Sequence, residues 1–154
     1  MTKQEEQWIE RGKEIKVERR EKTHIGGLIL MTYVDGYVIP IRKDKVSAYK
    51  KMAKWGAKLW KKHGALDYYE CIGDDLRVKK GEGQGFKKMA KLKSNETVVF
   101  SFIVYKSRKH RDEINKEVMK EMMKNMTQKD VEEMSEVFDM KRFSKGGFKT
   151  IVEW

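Results

Sequence analysis

TVVFSFIVYK, residues 97–106, decides the fold. Its β-branched and aromatic residues mark a strand. Val98, Phe100, Phe102 and Val104 share one face, while Val99, Ile103 and Tyr105 share the other, and only Ser101 breaks the second set. An antiparallel strand with one wet face alternates apolar and polar residues. This one does not, so both of its faces need cover. MTYVDGYVIPI (31–41) reads the same way, with Val34 and Val38 opposing Tyr33 and Tyr37. It predicts a first strand.

The segments around these two strands fall into order. Asp44 is placed to cap a helix over 45–63, where Val46, Tyr49, Ala53, Gly56 and Trp60 recur at helical steps with Met52 and Leu59 beside them. His63-Gly64 ends it. ALDYYECIGDD (65–75) predicts a second strand running into a turn, and the Gly- and Lys-rich residues 76–95 a loop anchored by Phe86, Met89 and Leu92. After the strand at 97–106, Ser107 caps a long helix with His110, Ile114, Val118 and Met122 as its stripe. Thr127 with Asp130 forms a capping box for a short third helix, and GGFKTIVEW (146–154) is the last strand.

The order β-α-β-β-α-β predicts an α+β fold of the ferredoxin-like kind: one antiparallel four-stranded sheet with the first and third strands central. Two long helices cover one sheet face. The other would leave a larger apolar patch than monomers usually show. A homodimer, with a second copy's sheet as the cover, is the expectation.

Composition bounds the rest. The 154 residues suit one domain, and 38% of them are charged. No run approaches the ~20 apolar residues of a membrane span. The N-terminus lacks a signal peptide's apolar core, and Cys71 is the single cysteine. A cytoplasmic protein with no membrane partner is expected. QEEQWIERGKEIKVERREK (4–22) alternates acids and bases, with Trp8, Ile9, Ile15 and Val17 as its only apolar residues, and Gly26-Gly27 follow it. Residues 1–30 read as an appendage to a domain spanning 31–154.

The net charge is +11, and residues 42–62 carry nine basic residues against the single acid Asp44. Lys50, Lys54, Lys58 and Lys61 would form a basic face opposite the apolar stripe. The favoured reading is a solvated surface; the alternative is a binding face for RNA or another polyanion. The chain is Lys-rich and Arg-poor, whereas phosphate and base readers lean on the Arg fork.

MTYVDGYVIPI, HGALDYYECIGDD, ETVVFSFIVYKSRKHRDEIN and FDMKRFSKGGFKTIVEW together resemble the YbaA-like bacterial family, a domain of unknown function (number 1428). The resemblance spans nearly all of 31–154. It implies a dimeric α/β-barrel fold and no established activity. Two departures stand out. Phe86-Lys87 replaces a Phe-Pro step, and MKEMMKNMTQKDVEEMSE lacks an expected Pro, which would let the second helix run longer. Family members begin at the residue matching Met31. Residues 1–30 are therefore either a native helical extension or the product of a translation start placed upstream of Met31; Gly26-Gly27 codons can spell a ribosome-binding sequence.

By analogy, the wider superfamily includes cofactor-free oxygenases and isomerases, haem-handling proteins and ligand-binding modules, with pockets between sheet and helices; fold alone does not choose among them. If this chain is an enzyme, the analogy favours the cofactor-free oxygenase or isomerase kind. Trp60, His63, Tyr68, Tyr69 and Glu70 are the candidate lining of such a pocket for a small metabolite. For catalysis the candidates are His63 as acid/base, Glu70 as an inward carboxylate, and Cys71 as a nucleophile beside His63. Each has a plain structural alternative: a helix-end histidine, an outward strand residue, a buried thiol. A dimer without ligand is the remaining reading. His24, His63 and His110 are too isolated to hold a metal, and GEGQG (81–85) lacks the Lys-Ser/Thr ending of a phosphate loop. No cofactor is expected.

Overall fold

A computed structural model of the chain describes residues 31–154, together with the backbone pairing of His24–Ile25 with Leu28–Ile29 upstream. The expected helical appendage over 1–30 otherwise lies outside the described residues.

Four strands form one antiparallel sheet: β1 (Tyr33–Arg42), β2 (Asp67–Ile72), β3 (Glu96–Tyr105) and β4 (Ser144–Lys149). Their order is β2-β3-β1-β4, so the first and third strands are central. Four helices join them: α1 (Val46–His63), the single turn α2 (Phe86–Met89), α3 (Arg108–Asn125) and α4 (Gln128–Val137). The protein is a mixed α+β domain built on an open antiparallel sheet.

Register settles which face of the sheet is which. Val99, Ser101, Ile103 and Tyr105 of β3 are buried beneath α1, α3 and α4. Ile39, Ile41, Tyr49, Val99 and Val137 pack at one end of this layer; Leu59, Ile103, Tyr105, Ile114 and Val118 pack at the other. Tyr37 of β1 touches both groups. The opposite face carries Val98, Phe100, Phe102 and Val104, directly across from Pro40, Val38, Gly36 and Val34 of β1. Tyr69 of β2 stacks on Phe102, with ring centroids 4.9 Å apart. Phe148 of β4 lies beside Val34 and is 60% exposed; Phe100 is 44% exposed. The loop before β3 sends Phe86 of α2 edge-on to Phe100 at 6.2 Å. Of the anchors expected there, Phe86 thus serves the open face; Val98 and Pro40 are buried at one end of it, while Tyr69, Phe100 and Phe148 remain exposed.

Capping follows local chemistry. The Ser107 hydroxyl accepts from the His110 amide at 3.1 Å. Thr127 and Asp130 make the full capping box. That box stops α3 at Asn125, so the missing Pro does not lengthen the helix. Gly64 closes α1 at φ 103°, a left-handed conformation that costs glycine little.

Two expectations need correction. Asp44 does not cap α1. It sits in a 3-10 turn, Lys43–Lys45, and pairs with Arg42 instead, while the helix begins at Val46 with Lys45 in the cap position. The last strand starts earlier and stops sooner than GGFKTIVEW suggests. β4 ends at Lys149 because its partner β1 begins at Tyr33, the residue opposite Lys149. Beyond that point Ile151, Val152 and Trp154 are exposed.

Arg142 ties the segment before β4 to the start of β3. Its Nη1 and Nη2 each donate to a Glu96 carboxylate oxygen at 2.6 Å, and its Nε donates to Asp139 at 2.8 Å. This fork holds the Glu96 carboxyl down at about 2, from an ordinary 4.5.

Two outcomes follow from this geometry. Ile103 is 2% exposed on the helix side. Ile103→Asp buries an unpaired charge and should cost more than about 4 kcal/mol, eliminating the cooperative melt. Phe102→Asp, on the open face, should keep the far-UV circular dichroism of the fold; the reverse ranking would invert the assignment of faces. Glu96 has a depressed folded-state pKa, so its contribution is complete above pH 4.5 and is lost as pH falls towards 2. Urea titrations at pH 7, 4.5 and 2.5 should show the stability gap between wild type and Glu96→Gln closing across that window. A constant gap would mean that the Arg142 fork does not hold Glu96 as described.

Candidate functional site

Alternation along β2 turns Tyr68 and Glu70 towards the helices and Tyr69 and Cys71 towards the open face, where Tyr69 meets Phe102 and Cys71 lies opposite Phe100. Glu70 therefore points inward beneath α1. The Tyr49 hydroxyl of α1 donates to its Oε2, and the Tyr68 hydroxyl donates to its Oε1 at 2.7 Å. Burial pushes both phenols well above their ordinary range, and the neighbouring Glu70 charge pushes in the same direction. They stay protonated and act as donors.

Gly56 makes this approach fit. A Cβ there would lie 3.0 Å from the Tyr68 hydroxyl, so a larger residue would press the Tyr68 hydroxyl away from its present place. Trp60, one turn further along α1, sits 6.0 Å from the Tyr68 ring. Its indole N–H points to the Tyr105 hydroxyl and to Asn115 Oδ1, both at 3.0 Å. Asn115 in turn donates to Asp35 at 3.1 Å, and Arg111 donates to the other Asp35 oxygen at 3.0 Å. Arg111 also lies over the Tyr33 ring at 4.9 Å. Asp35 is 4% exposed, and this pairing is what makes its burial tolerable. Burial and the nearby Asp35 raise Tyr37 to about 12, and the same two causes raise Tyr105.

Above Glu70 opens a hollow of about 670 Å³ between α1, the end of α3, and α4. Tyr49, Tyr68 and Glu70 form its floor, and Trp60 and Met52 stand in its wall. A second hollow, about 740 Å³, lies at the far end of the sheet around Asp74, Arg77, Lys93 and Glu96. Turns and charged surface residues line it, including the Glu96 already bound by Arg142. The hollow beneath α1 is the better candidate because its walls are apolar and its polar groups converge.

The structure brings together Trp60, Tyr68 and Glu70. It leaves His63 aside: the histidine ends α1 with Nε2 2.6 Å from Glu121, which Lys62 also meets at 2.7 Å. Those two contacts, Lys62 first, hold the Glu121 carboxyl below its usual range. Tyr69 and Cys71 are on the other side of the sheet, so Cys71 cannot act with His63. Cys71 is exposed rather than buried. Lys50, Lys54, Lys58 and Lys61 are exposed along the outside of α1. Among the described residues there is no cluster of metal-ligating side chains and no helix long and apolar enough to cross a membrane.

Sequence reading missed Tyr49, taken only as a core residue, and the Asp35–Arg111–Asn115 group. The available signal was Asp35 itself, an acid in the middle of an apolar strand.

Residues 32–140 match the family described as "Protein of unknown function (DUF1428)". The chain is 41% identical over 123 residues to "Uncharacterized protein YbaA" of Escherichia coli K12, covering 80% of this chain and 99% of the relative. The match to the Shigella flexneri protein of that name has the same identity and coverage. This chain belongs to the DUF1428 family, alongside the YbaA proteins of enteric bacteria.

Proposed function

We propose that this chain is a cytosolic, homodimeric small-molecule-binding protein of ferredoxin-like fold, a dimeric α/β barrel whose ligand occupies the hollow beneath α1 in each subunit. The observation that carries the reading is the hollow: about 670 Å³, apolar in its walls, with a tyrosine-held carboxylate at its floor. That size and lining suit a metabolite. The strand order β2-β3-β1-β4 supports the fold assignment, since it is the split βαβ arrangement.

Support for the dimer comes from the open sheet face. Tyr69, Phe100 and Phe148 are each between 44% and 60% exposed there, on a surface continuous with Phe102 and Val104. Each large side chain gains ~1.5–3 kcal/mol on full burial, and contributions from both subunits can offset the cost of association. A second copy of the same face, related by a twofold axis, is the simplest cover. The exposed single thiol of Cys71 fits a reducing compartment.

The test is a ligand survey by native mass spectrometry and thermal shift against metabolites, haem and short RNA, on wild type and on Ala48→Trp. Ala48 is exposed on α1 and lines the hollow, so a Trp there blocks the entrance without touching the core. A small molecule that raises the melting temperature of wild type but not of Ala48→Trp is the expected result. Binding of RNA alone, steeply weakened by salt and unaffected by Ala48→Trp, would put the lysine ridge in the hollow's place.

A further inference from the structure

Among the described residues, Asp35, Glu96, Glu121 and Glu70 are carboxylates turned into the body of the domain, and the first three meet a cation. Asp35 pairs with Arg111, Glu96 with Arg142, and Glu121 with Lys62 and His63. Glu70 is different. Its contacts are the hydroxyls of Tyr49 and Tyr68, and among the described residues no Lys, Arg or His reaches it. This is not for want of cations, in a chain with 35 Lys and Arg against 24 Asp and Glu. The two tyrosines are neutral donors. They hold the carboxylate in place and bring no positive charge to it, and about two of its four acceptor positions stay open.

The surroundings point the same way. The hollow above Glu70 has a flexible wall of Met52, Met122, Met126 and Met134, side chains that adapt to varied hydrocarbon shapes. Trp55, Trp60 and Phe138 line it with aromatic rings, a ring type whose faces favour cations and repel anions. Around the mouth stand Asp130, Glu133 and Glu136 against Lys45 and Lys51, and Lys45 is itself 3.5 Å from Glu136. With Glu70 included, four acids face two bases, the reverse of the chain's overall sign.

Building on the small-molecule reading above, we infer that the ligand is an apolar organic cation, an aromatic or alkyl amine whose ammonium group meets Glu70 while its hydrocarbon lies along the methionines and indoles. The amine's N–H groups take the open acceptor positions of the carboxylate, and its charge supplies the missing partner. An acid of the same shape meets repulsion from Glu70 and from the mouth. A neutral alcohol of the same shape gains the wall contacts and lacks the charge.

The experiment uses three probes of matched shape: 2-phenylethylamine, 3-phenylpropionate and 2-phenylethanol. Each is titrated by calorimetry into full-length wild type, Glu70→Gln and Ala48→Trp at pH 7. Wild type should bind the amine at least about tenfold more tightly than the alcohol or the acid. Glu70→Gln should erase that preference, and Ala48→Trp should abolish binding. Equal or better binding of the alcohol or acid to wild type, or an amine preference that survives Glu70→Gln, overturns the cation assignment and leaves the hollow standing as a small-molecule site. If no probe binds wild type, the cation assignment is overturned, and the small-molecule reading stands or falls by the ligand survey above. Should Glu70→Gln fail to fold, the order of the three probes on wild type decides the matter alone.

Discussion

A sheet that is apolar on both faces needs two covers, and the long helices among the described residues supply one. Everything else in the architecture follows from how that constraint is met. The helix-side set of β3, from Val99 to Tyr105, disappears under α1, α3 and α4. The opposite set, Phe100 and Phe102 with Tyr69 and Phe148, is left with a partial cap from Phe86. In the dimer proposed here, a second sheet completes the enclosure. That arrangement leaves the helix side of each subunit free to hold a ligand, because no partner is needed there.

On the helix side, buried polar groups do the work of orientation. The chain of contacts from Arg111 through Asp35 and Asn115 to Tyr105 and Trp60 fixes α3 and α1 against β1 and β3. Each link in this chain is a hydrogen bond, while the buried Arg111 Nε makes no hydrogen bond and has only its ion-pair contact with Asp112 at 2.8 Å. Trp60 belongs to this network and to the wall of the hollow. The hollow is thus bounded by a rigid group on one side and by methionines of α1, α3 and α4 on the other. A site of this build keeps its polar floor in place while its walls adjust.

Much of the fold was legible because it rests on local chemistry. The doubled apolar pattern of residues 97–106 needed no partner to be seen, and the caps at Ser107 and Thr127 act within three residues of themselves. What failed to read depended on distant neighbours. Asp44 looked like a cap because the 3-10 turn that displaces it has no sequence signature of its own. Ile151 to Trp154 look like strand, but the length of β4 is set by where β1 begins. The site shows the same division. Whether Glu70 faced inward was a matter of phase, and register alone fixes it. One residue of phase also separates Cys71 from His63. Tyr49 is 21 residues from Glu70, and Arg111 is 76 from Asp35. Neither pairing has a local mark.

The central claim is that the open face of this sheet is covered by a second copy of the same chain. Sedimentation velocity of the unmodified protein at low micromolar concentration tests it most directly. The account predicts a single species at twice the one-chain mass of 18.3 kDa. A clean monomer at that concentration would contradict it.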